Sequence, residues 1–363
     1  MQVRLGDHLD FSSGSGSRPR GSKGRFPVYG ANGAIGYAPE CNAVGPLIVV
    51  GRVGSYCGSV RYCDSDVWVT ENALVCRAKN PDETRYWYYA LQTCRLNEHR
   101  AGSGQPLLTQ RVLRDVVVWT AATNERRRIG ELLGAFDDKI AANRRVIDAA
   151  ETLMAATVES VCDYVPLRSL ASRSSAFLEP EEFDDTVAHF SFSAFDEGAW
   201  PELVDSRSVK SGKFLLPAPC VLVSKLNPRI PRIWDVVSLP DEMAVASAEF
   251  VVLRPLDVGT SVLWSDLRQP RVSQTLRQQV AGTSGSRQRI QPRDLMETLV
   301  RDVRRLPPES ARAVADLGAL CHARRGECMR LSAFRDAMLP LLMSGAIGVT
   351  DALGQAVDVL SNA

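Results

Sequence analysis

The strongest constraint on the fold is an internal repeat, because a chain of two related units needs a fold that each unit can adopt. Five segments recur in the same order, and across the last four pairs the offset rises from 173 to 185 residues. The pairs are Arg4–Leu9 with Pro166–Ala171, Pro46–Arg52 with Pro219–Lys225, Ala73–Arg77 with Phe250–Arg254, Gly102–Leu107 with Gly285–Ile290, and Ile129–Phe136 with Val314–Cys321. Diverged copies with small insertions produce this pattern. The sequence therefore predicts a tandem of two units.

Each unit begins with a strand-rich part. Apolar runs bounded by turn residues predict strands at Leu47–Gly51, Val67–Arg77, Cys220–Lys225, Arg232–Ser238 and Glu249–Pro255. Asn32 followed by Gly33 predicts a hairpin turn, and the aromatic segment Arg85–Cys94 predicts a short helix. Both strand-rich parts are therefore expected to be globular α/β domains.

The segment Thr123–Val161 has no proline and carries the heptad pattern of a coiled coil. Its seam positions are Ile129, Leu133, Phe136, Ile140, Asn143, Ile147, Ala150, Met154, Thr157 and Val161. At about 1.5 Å per residue, a helix of this length would extend roughly 58 Å, which is long for a compact core. Asn143 has two open interpretations. It either fixes register and partner at some cost in stability, or it lies at an edge that solvent reaches.

A second, less regular apolar stripe lies in Pro308–Leu342, and Pro340 is expected to kink or end that helix. The stripe consists of Leu317, Cys321, Cys328, Leu331, Phe334, Met338 and Leu341. Two matched amphipathic helices most simply pack against each other antiparallel. The expected fold is α+β, with two globular α/β domains joined by a coiled-coil stalk of two long antiparallel helices, as a pseudo-twofold dumbbell. The expected boundaries are 1–120, 121–163, 164–306 and 307–345, followed by a tail at 346–363.

Charge is distributed unevenly although the formal net charge is only +1. Two acid-free stretches carry clusters of basic residues: Arg18, Arg20, Lys23 and Arg25 in the first, and Arg268, Arg271, Arg277, Arg287, Arg289 and Arg293 in the second. An acidic block at Glu179–Asp185 balances them. Segregated charge of this kind can mark a surface that binds a polyanion. The alternative is that both clusters are solvated loops.

The composition and motifs exclude several classes of protein. No apolar run is long enough for a membrane span, and the N-terminus lacks the pattern of a secretory signal, so a cytoplasmic location is expected. Nine cysteines without a C-x-x-C pair indicate reduced thiols, and no zinc-type spacing is present, so no metal is expected. Neither a P-loop nor a G-x-S-x-G motif occurs, and no nucleophile, base and acid fall together. The chain is therefore expected to have no catalytic residues, and its two basic lobes favour a reader of two separated half-sites on duplex DNA.

Four segments of the first half carry a family resemblance. They are FPVYGANGAIGY (Phe26–Tyr37), IVVGRVGSYCGSV (Ile48–Val60), WVTENALV (Trp68–Val75) and GSGQPLL (Gly102–Leu108). With the long helix that follows, they resemble a target recognition domain of the specificity subunits of type I restriction–modification systems. The second half keeps the order and GSRQRI, but it lacks the G-x-N-G turn and the G-R-x-G strand exit, so its recognition domain belongs to a different branch.

The resemblance implies a non-catalytic subunit that recognises a bipartite, gapped DNA target. It implies as partners two adenine-N6 methyltransferase subunits and restriction/translocase subunits, with S-adenosylmethionine bound by the methyltransferase and no cofactor in this chain. Two alternatives remain open. One is a protein-interaction scaffold that does not bind DNA, and the other is a stand-alone methyltransferase or nuclease.

Arg52 follows an apolar strand and lies among three glycines, Gly51, Gly54 and Gly58, and it is interpreted as a cation at a strand exit beside DNA. Lys225 has the same place in the second unit, which favours a phosphate contact in both; an ion pair that supports the fold is the alternative. Gln105 and Gln288 could contact adenine or brace their loops. The DNA-binding candidates are Lys23, Arg25, Tyr29, Asn32, Arg52, Ser103, Gln105, Lys225, Arg229, Arg232, Ser286, Arg287, Gln288 and Arg289.

Overall fold

The computed structural model describes residues 1–16, 21, 24–100, 107–228, 230–278 and 288–361. The chain forms two compact units, here called unit 1 (Met1–Lys139 with Leu331–Ala363) and unit 2 (Ile140–Arg330). Each long helix therefore contributes residues to both units. No helix in the described part of the chain is both long enough and apolar enough to cross a lipid bilayer.

The described elements run in the following order, up to the first long helix. The strands are β1 (Gln2–Arg4), β2 (Leu9–Ser13), β3 (Phe26–Gly30), β4 (Gly33–Ala38), β5 (Leu47–Gly51), β6 (Val60–Cys63), β7 (Trp68–Val69), β8 (Ala73–Ala78) and β9 (Val117–Trp119). The helices are α1 (Leu5–His8), α2 (Thr84–Thr93), α3 (Gln110–Asp115) and α4 (Thr123–Val158).

The remaining elements follow α4. The strands are β10 (Tyr164–Pro166), β11 (Ala171–Arg173), β12 (Phe177–Leu178), β13 (Thr186–Phe190), β14 (Glu202–Asp205), β15 (Lys213–Leu215), β16 (Cys220–Ser224), β17 (Ile233–Val236), β18 (Met243–Ala246), β19 (Phe250–Pro255) and β20 (Leu299–Arg301). The helices are α5 (Phe192–Asp196), α6 (Thr260–Leu267), α7 (Pro270–Gln278), α8 (Pro292–Glu297), α9 (Pro308–Ser344) and α10 (Val349–Ser361).

Each unit contains a four-stranded antiparallel sheet of the same strand order. The order is β2-β8-β5-β6 in unit 1 and β11-β19-β16-β17 in unit 2. The sequence pairs that predicted the repeat lie in equivalent strands, since Pro46–Arg52 and Pro219–Lys225 contain β5 and β16, and Ala73–Arg77 and Phe250–Arg254 lie in β8 and β19. The repeat in the sequence is therefore a repeat of sheet topology.

The central strands β5 and β16 are buried along their whole length. In unit 2, Val221 and Val223 belong to a core cluster with Met154 and Cys321 of the long helices, whereas Leu222 belongs to a second cluster with Phe190. A strand buried on both faces needs apolar residues at every position, not at alternate ones. This burial explains the continuous apolar runs from which both strands were predicted.

The second sheets of the two units differ. Unit 1 has the three-stranded sheet β4-β3-β7, and unit 2 has the five-stranded sheet β12-β15-β18-β13-β14. The predicted strand Val67–Arg77 is in fact two strands, because the chain turns at 70–72 between β7 and β8, which lie in different sheets. In the hairpin of β3 and β4, Ala31 and Asn32 form the turn and Gly33 adopts a φ of +92°. A left-handed residue after the turn is typical of a bulged hairpin, and glycine adopts it without strain.

Within unit 2, α4 and α9 run antiparallel. The Cys321 thiol lies 3.9 Å from the Ile147 carbonyl oxygen, and the Cys328 thiol lies 3.8 Å from the Ile140 carbonyl oxygen. Arg325 of α9 forms an ion pair with Glu151 of α4. Within unit 1, the rings of Phe136 and Phe334 pack edge to face with centroids 5.4 Å apart.

The predicted seams are buried at most of their positions. The buried stalk residues are Ile129, Leu133, Phe136, Ile140, Asn143, Ile147, Met154, Cys321, Leu331 and Met338, whereas Leu317, Cys328 and Phe334 are half-buried. Thr157 gives way to Val158, which is fully buried, and Leu341 is 37% exposed while Leu342 is buried. Pro340 was expected to kink or end its helix, and the second alternative is wrong, because α9 continues to Ser344.

Asn143 is 3% exposed, so the interpretation as a solvent-reached edge is wrong. Its side chain faces Cys328, and its Nδ2 has no hydrogen-bond partner among the described residues. An enclosed amide donor without a partner costs about 1–3 kcal/mol. We therefore expect Asn143→Leu to raise the free energy of unfolding by about 1 kcal/mol, measured as the midpoint of denaturant unfolding. A lower midpoint in Asn143→Leu than in the unchanged chain would show that the amide stabilises the helix pair.

Candidate nucleic-acid interface

The ends of β5 and β16 have the same backbone arrangement. In unit 1 the Arg52 N–H donates to the Asn72 carbonyl at 3.1 Å, and the Leu108 N–H donates to the Arg52 carbonyl at 2.9 Å. In unit 2 the Lys225 N–H donates to the Glu249 carbonyl at 2.8 Å, and the Ile290 N–H donates to the Lys225 carbonyl at 2.8 Å. Arg52 and Lys225 are therefore structurally equivalent, as the repeat predicted.

The same bonds correct the alignment of the two glutamine loops by one residue. The sequence match placed Leu107 opposite Ile290, whereas the structure makes Leu108 the equivalent of Ile290. Backbone pairing of the adjacent residues confirms the one-residue shift, because Leu107 pairs with Val53 and Arg289 pairs with Leu226. Arg289 therefore has a leucine as its counterpart in unit 1.

The Arg52 side chain retains free hydrogen-bonding capacity. Its Nη1 lies 3.5 Å from the Ser13 hydroxyl, which also lies 3.0 Å from the Gln110 amide. The Arg52 Nε is buried without a hydrogen-bond partner, and Arg52 has no ion pair with any residue that the structure describes. A guanidinium whose donors are mostly unused is suited to a phosphate or a guanine edge.

The glycine that ends β5 and the next glycine along the chain have different roles. A Cβ on Gly51 would lie 2.5 Å from the Ala31 carbonyl oxygen, so this glycine permits close backbone packing inside unit 1. Gly54 has a φ of +70°, and a Cβ added there would meet no atom of the described chain within 4 Å, so only its backbone conformation requires glycine. Close approach of DNA is therefore unnecessary to explain Gly51, and Gly54 lies on the open side of the loop.

Lys225 lies in a mixed cluster of charges. Its neighbours include Glu249, Arg289 and Arg173, and its ammonium lies 5.8 Å from the centre of the Phe214 ring. Partial burial lowers the pKa of Lys225, an effect that Glu249 opposes and the two arginines reinforce. Arg289 donates to a Glu249 carboxylate oxygen at 2.8 Å. Unit 2 therefore surrounds its strand-exit cation with further charges, unlike unit 1.

Three further candidates of unit 1 lie on or beside the β3–β4 hairpin. Arg25 is exposed and lies over the Phe26 ring at 5.4 Å, and Asn32 is exposed in the turn. Tyr29 is half-buried, and burial with the neighbouring Cys63 thiol raises its pKa to about 12. Arg61 of β6 is exposed and lies beside Gly33 of this hairpin, yet no sequence motif singled it out. Because β6 and the hairpin belong to different sheets, packing of the two sheets brings Arg61 to the turn.

Several predicted cations of unit 2 form ion pairs within the unit. Arg232 Nε and Nη2 donate to the two Asp196 carboxylate oxygens at 2.8 and 2.6 Å, and the Arg232 guanidinium lies 5.0 Å from the centre of the Phe192 ring. The Arg268 and Arg271 side chains pair with Glu151 and Asp266 at 3.4 and 3.7 Å. Acids of unit 2 thus neutralise part of the second basic cluster, which leaves fewer cations for a polyanion.

The remaining candidates are placed as follows. The Gln288 carbonyl accepts from the Asn227 N–H at 3.0 Å, and the Gln288 side chain is half-buried beside Arg289. Six candidates lie outside the described residues: Lys23, Ser103, Gln105, Arg229, Ser286 and Arg287. DNA contact at each candidate stays a prediction.

Unit 2 also contains a serine–histidine pair that the sequence did not reveal. The Ser238 hydroxyl lies 2.9 Å from His322 Nε2, beside a cavity of about 210 Å³. Asp235 lines the same cavity, but its buried carboxyl group lies beside Ser261 and Thr260 of α6. No carboxylate in the described ranges bonds to His322, so the pair lacks the orienting acid of a hydrolytic triad. The same ranges hold no group of three or more side chains suited to a metal ion.

Comparisons with known proteins agree with this architecture. Residues 3–152 match the family model of the type I restriction modification DNA specificity domain. The type I restriction enzyme EcoprrI specificity subunit of Escherichia coli is 26% identical over 137 residues, covering 38% of this chain and 34% of that protein. The match thus spans about a third of the length of that curated relative.

A solved structure extends the likeness in fold to nearly the whole chain. The crystal structure of the type I restriction–modification system S subunit from M. genitalium superposes with a TM-score of 0.63, over 94% of this chain and 96% of that one, at 14% identity. The family model covers the strand-rich part of unit 1 and most of α4, and the likeness in fold extends over the strand-rich part of unit 2 and both long helices. Residues 3–152 therefore match the type I restriction modification DNA specificity domain, and nearly the whole chain shares the fold of a type I S subunit.

Proposed function

We propose that this chain is the DNA sequence-recognition subunit of a type I restriction–modification complex. The observation that carries the proposal is the pair of equivalent cations, Arg52 and Lys225, at the ends of matching central strands. Two related sheets, each with a cation at the same strand exit, provide one DNA contact surface per half-site. Unit 1 would read one half-site and unit 2 the other, with an unread gap between them.

The same proposal assigns the chemistry to partners. This chain would hold two adenine-N6 methyltransferase subunits, which bind S-adenosylmethionine, and restriction/translocase subunits would join to cut unmodified DNA. The chain itself would contribute binding and positioning only.

Modified-base sequencing of the source genome, with this gene present and deleted, tests the proposal. We expect methyladenine to vanish from one gapped, two-part motif in the deletion strain and to return on complementation. If no modification changes, binding of the purified chain to duplex DNA separates the alternatives. A DNA reader binds with steep salt dependence, whereas a scaffold for proteins alone shows no affinity at low salt. Methyl transfer to DNA by the purified chain alone would favour the stand-alone enzyme.

The long helices lead to a prediction about the gap. A heptad inserted into α4 after Lys139 and another into α9 after Arg330 would lengthen both helices by about 10 Å, close to three base pairs at roughly 3.4 Å each. We expect the unread gap of the methylated motif to grow by about three base pairs with both half-sites unchanged. Sequencing of methyladenine in cells carrying the double insertion measures this.

A heptad inserted into α4 alone is the control. It lengthens one helix but not its antiparallel partner, so methylation should be lost or greatly reduced. Altered half-sites with an unchanged gap in the double insertion would show that the helices do not set the spacing.

A further inference from the structure

Arg289 distinguishes the two recognition surfaces. The residue after the central strand is a cation in both units, Arg52 or Lys225, and its carbonyl accepts from the N–H of Leu108 or Ile290. The residue just before that N–H donor differs between the units: it is Leu107 in unit 1 and Arg289 in unit 2. Two units that read different half-sites need different side chains at equivalent positions. Arg289 is such a difference, and it lies next to Lys225 at the proposed DNA surface.

Glu249 holds the Arg289 side chain. One Glu249 oxygen accepts from Arg289 Nη2 at 2.8 Å, and the Arg289 side chain remains 57% exposed. The Glu249 backbone is itself fixed, because its carbonyl accepts from Lys225 and its N–H donates to the Ser247 hydroxyl at 3.3 Å. The counterpart of Glu249 in unit 1 is Asn72, which cannot form an ion pair. The arginine and its carboxylate partner therefore occur together in unit 2 and are both replaced in unit 1.

Burial decides which of the two side chains can reach a base. The other Glu249 oxygen, Oε2, is enclosed and has no hydrogen-bond partner among the described residues, so solvent does not reach it. An anion at this position would also be repelled by DNA phosphates. Arg289 offers the exposed, planar set of donors that matches the O6 and N7 acceptors of guanine. Glu249 thus orients the arginine and does not itself contact DNA.

Stability does not account for the pair. An ion pair whose members are 57% and 31% exposed is expected to contribute little to folding. Holding a long side chain in one orientation does, however, reduce the entropy lost when a bidentate contact forms. We infer that Arg289 reads a guanine in the half-site of unit 2 and that Glu249 is its positioning residue, an inference that rests on the proposed function.

Competition binding of the full-length chain tests this inference. The duplexes carry the gapped motif with each base pair of both half-sites replaced in turn, together with an unrelated duplex that measures non-specific binding. For Arg289→Lys we expect discrimination at one G·C pair to fall roughly tenfold, with unchanged salt dependence because the charge is retained. For Glu249→Gln we expect the same loss of discrimination with equal or tighter non-specific binding, since a negative charge is removed.

In Glu249→Gln, discrimination should fall while non-specific binding does not, and this combination distinguishes a positioning role of Glu249 from a structural one. A variant that merely destabilises unit 2 would weaken specific and non-specific binding together. Glu297→Gln is the matched control, because it removes the same charge from an exposed pair of unit 2, with Arg168 at 3.5 Å, outside the proposed interface. It should leave discrimination at every base pair unchanged, and thermal unfolding checks that all variants fold.

Each outcome decides between the proposals. Unchanged discrimination at every base pair in both Arg289→Lys and Glu249→Gln overturns this inference alone and leaves the proposed function standing. Parallel loss of specific and non-specific binding also overturns it, in favour of a structural role. If the unchanged chain shows no preference for any gapped motif, the proposed function fails and this inference fails with it.

Discussion

Replacing Arg126 with methionine is expected to lower the free energy of unfolding by about 3–5 kcal/mol. Arg126 lies in the first turns of α4 and is only 1% exposed. It donates to the Ala121 carbonyl at 3.2 Å and the Thr120 hydroxyl at 2.9 Å, and it forms a buried ion pair with Glu83 at 3.4 Å. Methionine fills a similar volume but leaves the Glu83 carboxylate enclosed without its cation. The midpoint of thermal unfolding measures the loss.

Two further variants test whether the buried ion pair accounts for the expected loss in Arg126→Met. Arg127→Met changes the neighbouring residue of α4, whose 62% exposed side chain pairs with Glu131 at 2.7 Å, and we expect a loss below about 1 kcal/mol. Glu83→Gln combined with Arg126→Met should recover part of the stability, because a neutral amide can still accept from the Trp87 indole, which lies 3.0 Å from the carboxylate. Equal losses in Arg126→Met and Arg127→Met would contradict the assignment of Arg126 as the buried anchor of α4.

Replacing Arg52 with alanine is expected to weaken DNA binding roughly tenfold at every sequence and to lower the salt slope by about one. The guanidinium is the strand-exit cation of unit 1, and its donors are largely unused in the described structure. Arg52→Lys should retain most of the affinity, because a phosphate contact needs only the positive charge, and a lysine, Lys225, is present at the equivalent position of unit 2. Titrations of duplex DNA at several salt concentrations measure both quantities.

The Arg52 prediction has its own control and contrary result. Arg127→Ala removes one positive charge from the exposed surface of α4 and should leave the salt slope unchanged within error. If Arg52→Lys instead abolishes discrimination at one base pair while retaining non-specific binding, Arg52 contacts a guanine edge and not a phosphate. Normal binding by Arg52→Ala would assign the residue to the fold.

The elements that were predicted well are those with a local or periodic signal. The sequence predicted β5 at its observed bounds and α2 to within one residue, and it matched the strands that are equivalent in the two sheets. Where the signal was ambiguous, the observed elements differ from the predicted ones. The apolar run predicted as one strand forms β7 and β8, and the last buried position of the α4 seam is Val158 where Thr157 was predicted. Packing chose between adjacent positions that the heptad pattern alone did not separate.

The sequence by itself determined the tandem repeat, the two long helices, the central strands and the resemblance to specificity subunits. Those features depend on the order of residues along the chain, which periodicity and motif spacing record. Only the tertiary structure decided which cations are free, because an ion pair joins residues that are distant in sequence. Arg232 lies 36 residues from Asp196, Arg289 lies 40 from Glu249, and Arg126 lies 43 from Glu83. Folding brings each pair together, and it also sets the exposure of each arginine: Arg126 is enclosed inside unit 1, whereas Arg289 stays 57% exposed.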